Sequence, residues 1–490
     1  MTALAALDDV IELEVETDPG DVLHYNLKNL CSALDITDPT RVAVDTDGLR
    51  RALITIYPSN PLAVVRAATR QDLTMDRWGR ITIGYHHNGK PCKKRLFDPI
   101  TGSAQRFLLF GTTGAGKSRA VQQDLIAEKI NGICSFLCDL KEGQSVPEAK
   151  TQVALYGDSQ EMAILLLIAA VNVAHARMKR YSRMGRNSFV LGEDPLLHVT
   201  LDEVNRLLEK GAPYRAIATR LIKELGRTGR SVGVGIRLAA QASHLEELGG
   251  SDTLRAMMKE GEVVLLRWSS SIMKQLVADG LLPTGEQLLP IPKNLAKKVL
   301  RSQFDAAWED DLDEGAPGTQ GMAYHLSSDN PTSQMRHLRV GSIAPTRGLD
   351  PEILALYGDE PPTELGEADG EAAGDVWAYR HDPDMLRALC EAFREEFLLS
   401  QQGGKSGGGV DLDELDDDGP APARPTTISD RIVAAMREAE GPVGAEEILD
   451  LVNADGGKEV KLGPVRNQLK PLADKGRIAR VGHGLYAPAH

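Results

Sequence analysis

Short apolar runs alternate with amphipathic helical patterns along the first half of the sequence. The apolar run 107–110 is followed by helical periodicity from 118 to 130, and a second run covers 133–138. A third apolar run spans 196–201, and a glycine-rich turn leads into a further strand pattern within 229–241. Strands that alternate with helices in this way predict an α/β fold built on a parallel sheet.

The region before this pattern contains shorter elements. Strand patterns occur at 41–44 and 52–57, and a hairpin is predicted from 80–85 and 91–97, around the turn that contains Asn88-Gly89. An Asn-Gly pair between two strand patterns favours a tight reversal. We therefore predict a small N-terminal α+β module over residues 1–105, to which we assign no chemistry, followed by an α/β domain over 106–345.

Beyond residue 345 the composition shifts to acidic and small residues. A short helical pattern at 384–400 is followed by a glycine-rich stretch and an acidic run, 411–418, which cannot bury a core. We predict a flexible linker with a short helical segment over 346–426.

The last segment, 427–490, has the pattern of a compact domain. Two amphipathic helices are followed by a third at 462–474, and two short strands then flank a turn at Gly482-His483. Three helices and a hairpin in this order predict a winged helix-turn-helix domain.

Charge is unevenly distributed along the 490 residues. The formal net charge of -14 argues against nucleic acid contact over the whole surface. The stretch 204–237, however, has eight basic and two acidic residues, a net charge of +6, and 457–490 has seven and two, a net charge of +5. Any contact with DNA should therefore be local.

The sequence also indicates a compartment. Its five cysteines are scattered, so neither a disulfide framework nor a zinc site is predicted. The acidic N-terminus lacks the features of a signal peptide, and the longest apolar stretch, 163–171, is far shorter than the ~20 residues that span a bilayer. We expect a cytoplasmic protein without a transmembrane segment.

The clearest chemical motif is a phosphate-binding loop that fits G-x-x-x-x-G-K-[ST] at every fixed position. Backbone N–H groups of such a loop and the following helix N-terminus bind phosphate. Lys117 is predicted to reach the β- and γ-phosphates of ATP, and Ser118 to hold Mg²⁺. The motif consists of Gly111, Thr112, Thr113, Gly114, Ala115, Gly116, Lys117 and Ser118.

A second motif is the pair of carboxylates that ends the strand pattern at 196–201. Asp202 is predicted to hold Mg²⁺ through its water shell, and Glu203 to orient the water that attacks the γ-phosphate. The alternative is that Asp202 only caps the next helix. The upstream loop favours ATP hydrolysis.

Two further residues are weaker candidates. Gln241 follows a predicted strand, at the end that faces the ligand in open α/β sheets, and is expected to contact the γ-phosphate or the attacking water. Arg230, in the preceding turn, is a candidate charge-stabilising finger for a neighbouring subunit's nucleotide. Exposed arginines and strand-end amides are also common without such roles.

The order of these motifs resembles the FtsK/SpoIIIE family of DNA translocases over about 106–343. The resemblance rests on the phosphate loop, on Asp139-Leu140-Lys141 where the family usually has Asp-Pro-Lys, on Asp202-Glu203 and on the 229–241 block. It implies a RecA-like motor that assembles into a hexameric ring and uses ATP to pump double-stranded DNA. The family's membrane-spanning N-terminus is not seen, so recruitment by a membrane-protein partner is expected.

The motor combined with a winged helix most resembles the TraB-type (Tra) plasmid transfer proteins of Streptomyces and related actinomycetes. This implies conjugative transfer of plasmid or integrative-element DNA. The alternatives are a chromosome-segregation translocase, a protein-secretion ATPase and an ATP-switched DNA-binding regulator.

The predicted DNA contacts lie in the basic half of the winged helix domain. On the third helix, Asn467 lies opposite the apolar stripe, with Lys470 beside it and Arg466 and Gln468 on its flanks, where they are expected to recognise bases. Arg477 and Arg480, on the wing, are expected to contact phosphates, and Lys461 belongs to the same basic half. A winged helix can instead bind proteins.

Overall fold

The computed structural model divides the chain into two compact units, Met1–Leu399 and Ser400–His490, and each is described here by itself. The described residues are 10–36, 38–241, 254, 258, 260–267, 288, 290–291, 318–402, 431–433, 435–436, 443–454, 465–466, 468–469, 472–473, 477–482 and 485–488.

A ten-stranded sheet forms the centre of the first unit. Its strand order is β10-β9-β11-β12-β8-β13-β14-β15-β4-β5, in which the first six strands are parallel and the last four are antiparallel to their neighbours. The strands are β4 (Arg80–His86), β5 (Pro91–Arg95), β8 (Arg106–Gly111), β9 (Cys134–Asp139), β10 (Leu155–Gly157), β11 (Leu197–Asp202), β12 (Val234–Ala240), β13 (Glu262–Leu266), β14 (Met322–Leu326) and β15 (Gln334–His337). The predicted α/β fold with a parallel sheet is confirmed in this mixed form.

Helices flank the sheet. The phosphate-loop helix is α2 (Lys117–Ile130), and α3 (Gln160–Arg183), α4 (Asn205–Leu208) and α5 (Arg215–Thr228) follow. Ser159 caps α3, because its side chain accepts a hydrogen bond from the Met162 N–H. By length and composition α3 could cross a membrane, but 67% of its apolar window is buried inside the protein. It packs as a core helix.

The N-terminal region is divided between two sheets. Strands β1 (Ile11–Glu16), β2 (Val42–Thr46) and β3 (Arg51–Ile56) form a separate antiparallel sheet beside α1 (Leu27–Ala33), and the two-residue strands β6 (Phe97–Asp98) and β7 (Ser103–Ala104) pair with each other. The predicted hairpin is present as β4 and β5, but it extends the central sheet. Part of the predicted 1–105 module therefore belongs to the central sheet.

The segment after residue 345 differs from the predicted flexible linker. Four helices, α6 (Pro351–Tyr357), α7 (Glu367–Ala373), α8 (Asp375–Ala378) and α9 (Pro383–Gln402), cover much of 346–402. Trp377 stacks on Phe136 with ring centroids 5.7 Å apart. Buried aromatic and ionic contacts therefore fix this acidic stretch on the rest of the first unit, whereas 403–426 lies outside the described residues.

One ion pair explains much of this docking. Arg177, in α3, is fully buried, and its guanidinium lies 2.7 Å from the Asp369 carboxylate on α7. Arg180 also pairs with Asp369, at 3.0 Å. The basic end of α3 is thus partly buried because an acidic segment covers it.

The central strand β12 is tied to α2 by a buried ionic cluster. Arg237 lies 3.0 Å from the Asp124 carboxylate and 2.7 Å from that of Glu128. Lys94, on β5, lies 2.5 Å from Asp124, and the Nδ1 atom of His198 lies 2.9 Å from Glu128. Burial alone would raise the pKa of Glu128, but Arg237 and His198 lower it to about 2. Helix and strand are therefore held together by charge as well as by packing.

In the second unit, the described residues form a small helix-and-hairpin core. Strand β16 (Val443–Gly444) and helix α10 (Ala445–Ala454) precede the hairpin β17 (Ile478–Gly482) and β18 (Leu485–Pro488), and the sheet order is β16-β18-β17. The apolar core includes Ile432, Ile448, Val452 and Leu469. The predicted hairpin is present, and the full winged helix-turn-helix assignment stays a prediction because much of the third helix lies outside the described residues.

Candidate active site

The phosphate loop lies between β8 and α2, as the motif predicts. Gly116 precedes α2 with a left-handed φ of 103°, and Gly114 has φ 73°. A Cβ atom at Gly116 would lie 3.0 Å from the backbone N of Gly321. Glycine is required here because both the backbone conformation and the close approach of Gly321 disfavour a side chain.

The carboxylate pair lies at the end of β11. Asp202 is fully buried and Glu203 is 5% exposed. The Lys117 ammonium contacts Asp202 and lies 3.2 Å from the Glu203 carboxylate. Burial raises the pKa of Asp202, and the nearby Lys117 charge opposes that shift. The loop lysine therefore holds both acids in one charged cluster.

Glu203 also has an unusual backbone. Its φ of 54° lies in the left-handed region, where residues other than glycine are strained. Such strain persists only where surrounding contacts enforce it, and Lys117 and Gln241 supply two of them. The conformation directs the Glu203 side chain toward the phosphate loop.

Gln241 lies at the same edge of the sheet, directly after β12. Its Nε2 group donates a hydrogen bond to Glu203 Oε1 at 3.3 Å. Strands β11, β12 and β8 are adjacent and parallel, so their carboxyl ends bring Glu203, Gln241 and the phosphate loop together. The predicted position of Gln241 is observed, although its contact in the protein is with Glu203.

Arg230 is not part of this cluster. It is exposed and precedes β12, whereas Gln241 follows that strand, so the length of the strand, roughly 20 Å, separates them. A role at the chain's own nucleotide site is therefore ruled out by distance. The predicted role at a neighbouring subunit's site stays a prediction.

The chemistry of the site fits Mg²⁺. Ser118 lines the cavity beside Lys117. Asp202 Oδ2 is buried, and among the described residues it has no hydrogen-bond partner. A hydroxyl and a buried carboxylate oxygen are suitable partners for a hydrated Mg²⁺. Ser118 and Asp202 are therefore the residues that would hold the ion.

The loop and the carboxylates border a cavity of about 620 Å³. Seven of the eight motif residues line it, all except Ala115. The opposite wall was not predicted and includes five residues of the antiparallel strands and their flanks: Gln320, Arg336, His337, Arg339 and Ser342. Lys141, which follows β9 at the same sheet edge as Asp202, also lines the cavity. Only Lys141 had a sequence signal, as the end of the Asp139-Leu140-Lys141 block.

His337 is a neutral part of that wall. Burial lowers its pKa to about 3. Its Nδ1 lies 2.9 Å from Gln123 Oε1, and Gln123 donates its own amide to the Ile83 carbonyl at 3.0 Å. Nδ1 therefore carries the proton, which leaves Nε2 as an acceptor. The described residues form the site of a P-loop ATPase.

The predicted DNA-binding residues are only partly described. Lys461, Asn467 and Lys470 lie outside the described residues. Arg466 is exposed and lies 3.4 Å from Glu446, and Gln468 is half-buried. Arg477 and Arg480 are exposed at the hairpin, which places them on the predicted wing.

No protein-family model and no curated protein matches the chain. Among solved structures it is similar to the monomer form, with ATPγS, of the pCW3 conjugation coupling protein TcpA, at 15% identity and a TM-score of 0.42 over 67% of this chain and 85% of that one. It is also similar to the cytoplasmic domain of the Thermomonospora curvata type VII secretion ATPase EccC, at 19% identity and a TM-score of 0.42. A third similarity is to EssC (ATPases 2 and 3) from Geobacillus thermodenitrificans, at 13% identity and a TM-score of 0.41.

The matches differ in how much of each chain they cover. The match to EccC spans 68% of this chain but only 35% of the EccC chain. The match to EssC spans 70% of this chain and 53% of the EssC chain. Similarity at this level does not identify a function, so the assignment depends on the residues of the site.

Proposed function

We propose that this chain is an ATP-driven translocase of double-stranded DNA that acts in conjugative transfer of plasmid or integrative-element DNA. The observation that carries the proposal is the convergence of Lys117, Asp202, Glu203 and Gln241 at one sheet edge, against a glycine-rich loop. Hydrolysis, rather than binding alone, needs a group that orients water. The contact of Glu203 with Lys117 of the phosphate loop supports that role.

The residues divide the work of hydrolysis. Lys117 exchanges its carboxylate partners for the β- and γ-phosphates when ATP binds. Glu203 then accepts a hydrogen bond from the attacking water, and Gln241 keeps the Glu203 carboxylate in place. Ser118 and Asp202 would hold Mg²⁺, which would supply neutralisation of charge on the phosphate oxygens.

The second unit supports DNA as the cargo. Its hairpin presents Arg477 and Arg480 at the surface, and its sheet order agrees with that of a winged helix. In the proposal the wing contacts phosphates, while Arg466, Asn467, Gln468 and Lys470 recognise bases. We also propose that the chain forms a hexameric ring, is cytoplasmic and is recruited by a membrane-protein partner.

The test is the ATPase rate of the full chain with double-stranded DNA, with single-stranded DNA and without nucleic acid. We expect the largest stimulation with double-stranded DNA, and movement along it in a triplex-displacement assay. Nucleotide binding with no DNA-stimulated turnover would favour an ATP-switched regulator, and stimulation by a protein substrate alone would favour a secretion ATPase. Transfer and chromosome segregation are distinguished by whether deletion of the gene abolishes plasmid transfer or leaves it intact.

A further inference from the structure

A buried arginine on the wall opposite the phosphate loop has no assigned role in the mechanism above. Arg336, on β15, is 6% exposed and lines the nucleotide cavity. Its Nη1 group donates to the Leu62 and Ala63 carbonyls at 2.6 and 3.3 Å, and Nη2 donates to the Gly318 carbonyl at 2.7 Å. All three acceptors are neutral.

Three other basic groups of the cavity, unlike Arg336, are paired with carboxylates. Lys117 contacts Asp202 and Glu203, Arg119 lies 3.2 Å from Asp350, and Arg339 lies 2.8 Å from Glu352. Within the described part of the chain no carboxylate pairs with Arg336. Its Nε atom is also buried there without a hydrogen-bond partner. A buried donor without an acceptor and a buried charge without a counter-charge both cost free energy. A bound anion would supply the acceptor and the counter-charge.

The backbone brings Arg336 close to the phosphate loop. The segment 318–321 bonds to both: its Gly318 carbonyl accepts from Arg336, and the Gly321 N–H donates to the Ala115 carbonyl of the loop at 2.8 Å. A four-residue bridge thus separates the guanidinium from the loop that holds phosphates.

A second arginine adds to the positive field. Arg267 is also 6% exposed, its Nε donates to Thr319 Oγ1 at 2.9 Å, and its Nη1 lies 3.5 Å from the point that a Cβ of Gly114 would occupy. Burial, and then the charge of Arg267, lower the pKa of Arg336. A bound anion would favour the charged guanidinium and so oppose both effects.

We propose that Arg336 is a phosphate-binding residue of the nucleotide site, which contacts the polyphosphate of a nucleoside triphosphate from the side opposite Lys117. This inference rests on the proposed ATPase function, because it names a further ligand contact at that site.

The test compares the affinities of ATPγS and adenosine in the full chain and in Arg336→Gln by calorimetry. Glutamine can still donate to the carbonyls but carries no charge. We expect a loss of about 10- to 100-fold in ATPγS affinity, the range of a hydrogen bond to a charged group, with adenosine affinity changed less than about twofold. The ratio of the two affinities is the readout because both ligands sample the same folded fraction.

The matched control is Arg70→Gln. Arg70 also donates to backbone carbonyls, those of Leu356 and Tyr357 at 2.9 and 3.1 Å, but lies outside the cavity lining. The ratio of ATPγS affinity to adenosine affinity in Arg70→Gln should equal that of the unaltered chain. An unchanged ratio in Arg336→Gln, or an equal loss for both ligands, would overturn the proposal and leave Arg336 as a structural link.

A second variant covers the case in which Arg336→Gln does not fold. In Arg336→Lys the charge at this position can be titrated, so ATPγS affinity should fall between pH 8 and 10, below the usual lysine pKa of about 10.4, relative to the unaltered chain. Parallel pH profiles would contradict the inference. Failure of the unaltered chain to bind ATPγS would instead refute the proposed function itself.

Discussion

Replacement of Glu203 by glutamine should greatly reduce turnover without lowering nucleotide affinity. Glu203 shares the Lys117 ammonium with Asp202, and the lysine lies 3.2 Å from its carboxylate. Two unit charges at that distance interact by about 5 kcal/mol at an effective dielectric constant near 20. This attraction competes with the phosphates for the lysine.

Most of that energy should not appear as affinity. Asp202 keeps its contact with Lys117, so the phosphates must still displace one carboxylate from the lysine. We therefore expect Glu203→Gln to bind ATP as tightly as the unaltered chain or up to about tenfold more tightly, worth about 1.4 kcal/mol. Hydrolysis should fall by about 10²–10⁴, the usual contribution of an acid or base placed on a reacting group.

The assay combines equilibrium titration with a fluorescent ATP analogue and phosphate release under single-turnover conditions. Lys117→Ala is the contrasting variant, because it should lose both affinity and turnover. Hydrolysis above a tenth of the normal rate in Glu203→Gln would refute the role of this carboxylate. A large loss of affinity would refute the competition for Lys117.

Three further results are expected. Asp369→Asn leaves buried Arg177 without its full counter-charge, so the free energy of unfolding should fall by about 3 kcal/mol. Thermal unfolding measures this, and an unchanged melting temperature would argue against a docked 346–402 segment. If Arg230 acts across a subunit interface, Arg230→Ala and Glu203→Gln proteins, each inactive alone, should regain ATPase activity in mixed rings, and inactivity in verified mixed rings counts against it. Arg480→Ala should weaken binding to all duplexes alike and reduce the salt slope by about 0.9, whereas a sequence-dependent loss would point to base contact.

The phosphate loop and its acids could be located from the sequence because each is a local pattern. The glycines and Lys117 are contiguous, and Glu203 and Gln241 directly follow apolar strands. In a parallel sheet, strand ends meet at one edge, so sequence position was enough to bring them together. We could therefore predict that these residues lie close together without knowing which strands pair.

The opposite wall could not be found in this way. Arg336 reaches the cavity because β15 pairs with β14 and β4. The residues next to Arg336 in the sequence do not indicate which strands β15 pairs with. The helices of segment 346–402 were predicted as a flexible linker for a related reason. Its acidic composition is typical of a linker, but Asp369 is buried against Arg177, and a long-range ion pair cannot be inferred from composition.

The ionic cluster beneath α2 has a mechanical consequence. Strand β12 carries Arg237, which is bound to Asp124 and Glu128 of α2, and Gln241, at its end, contacts Glu203. To slide the helix along the strand would separate buried opposite charges, at a cost of about 3–5 kcal/mol. The helix and the strand should therefore move together, so we expect a displacement of the phosphate loop to shift Gln241 and, through it, the Glu203 carboxylate.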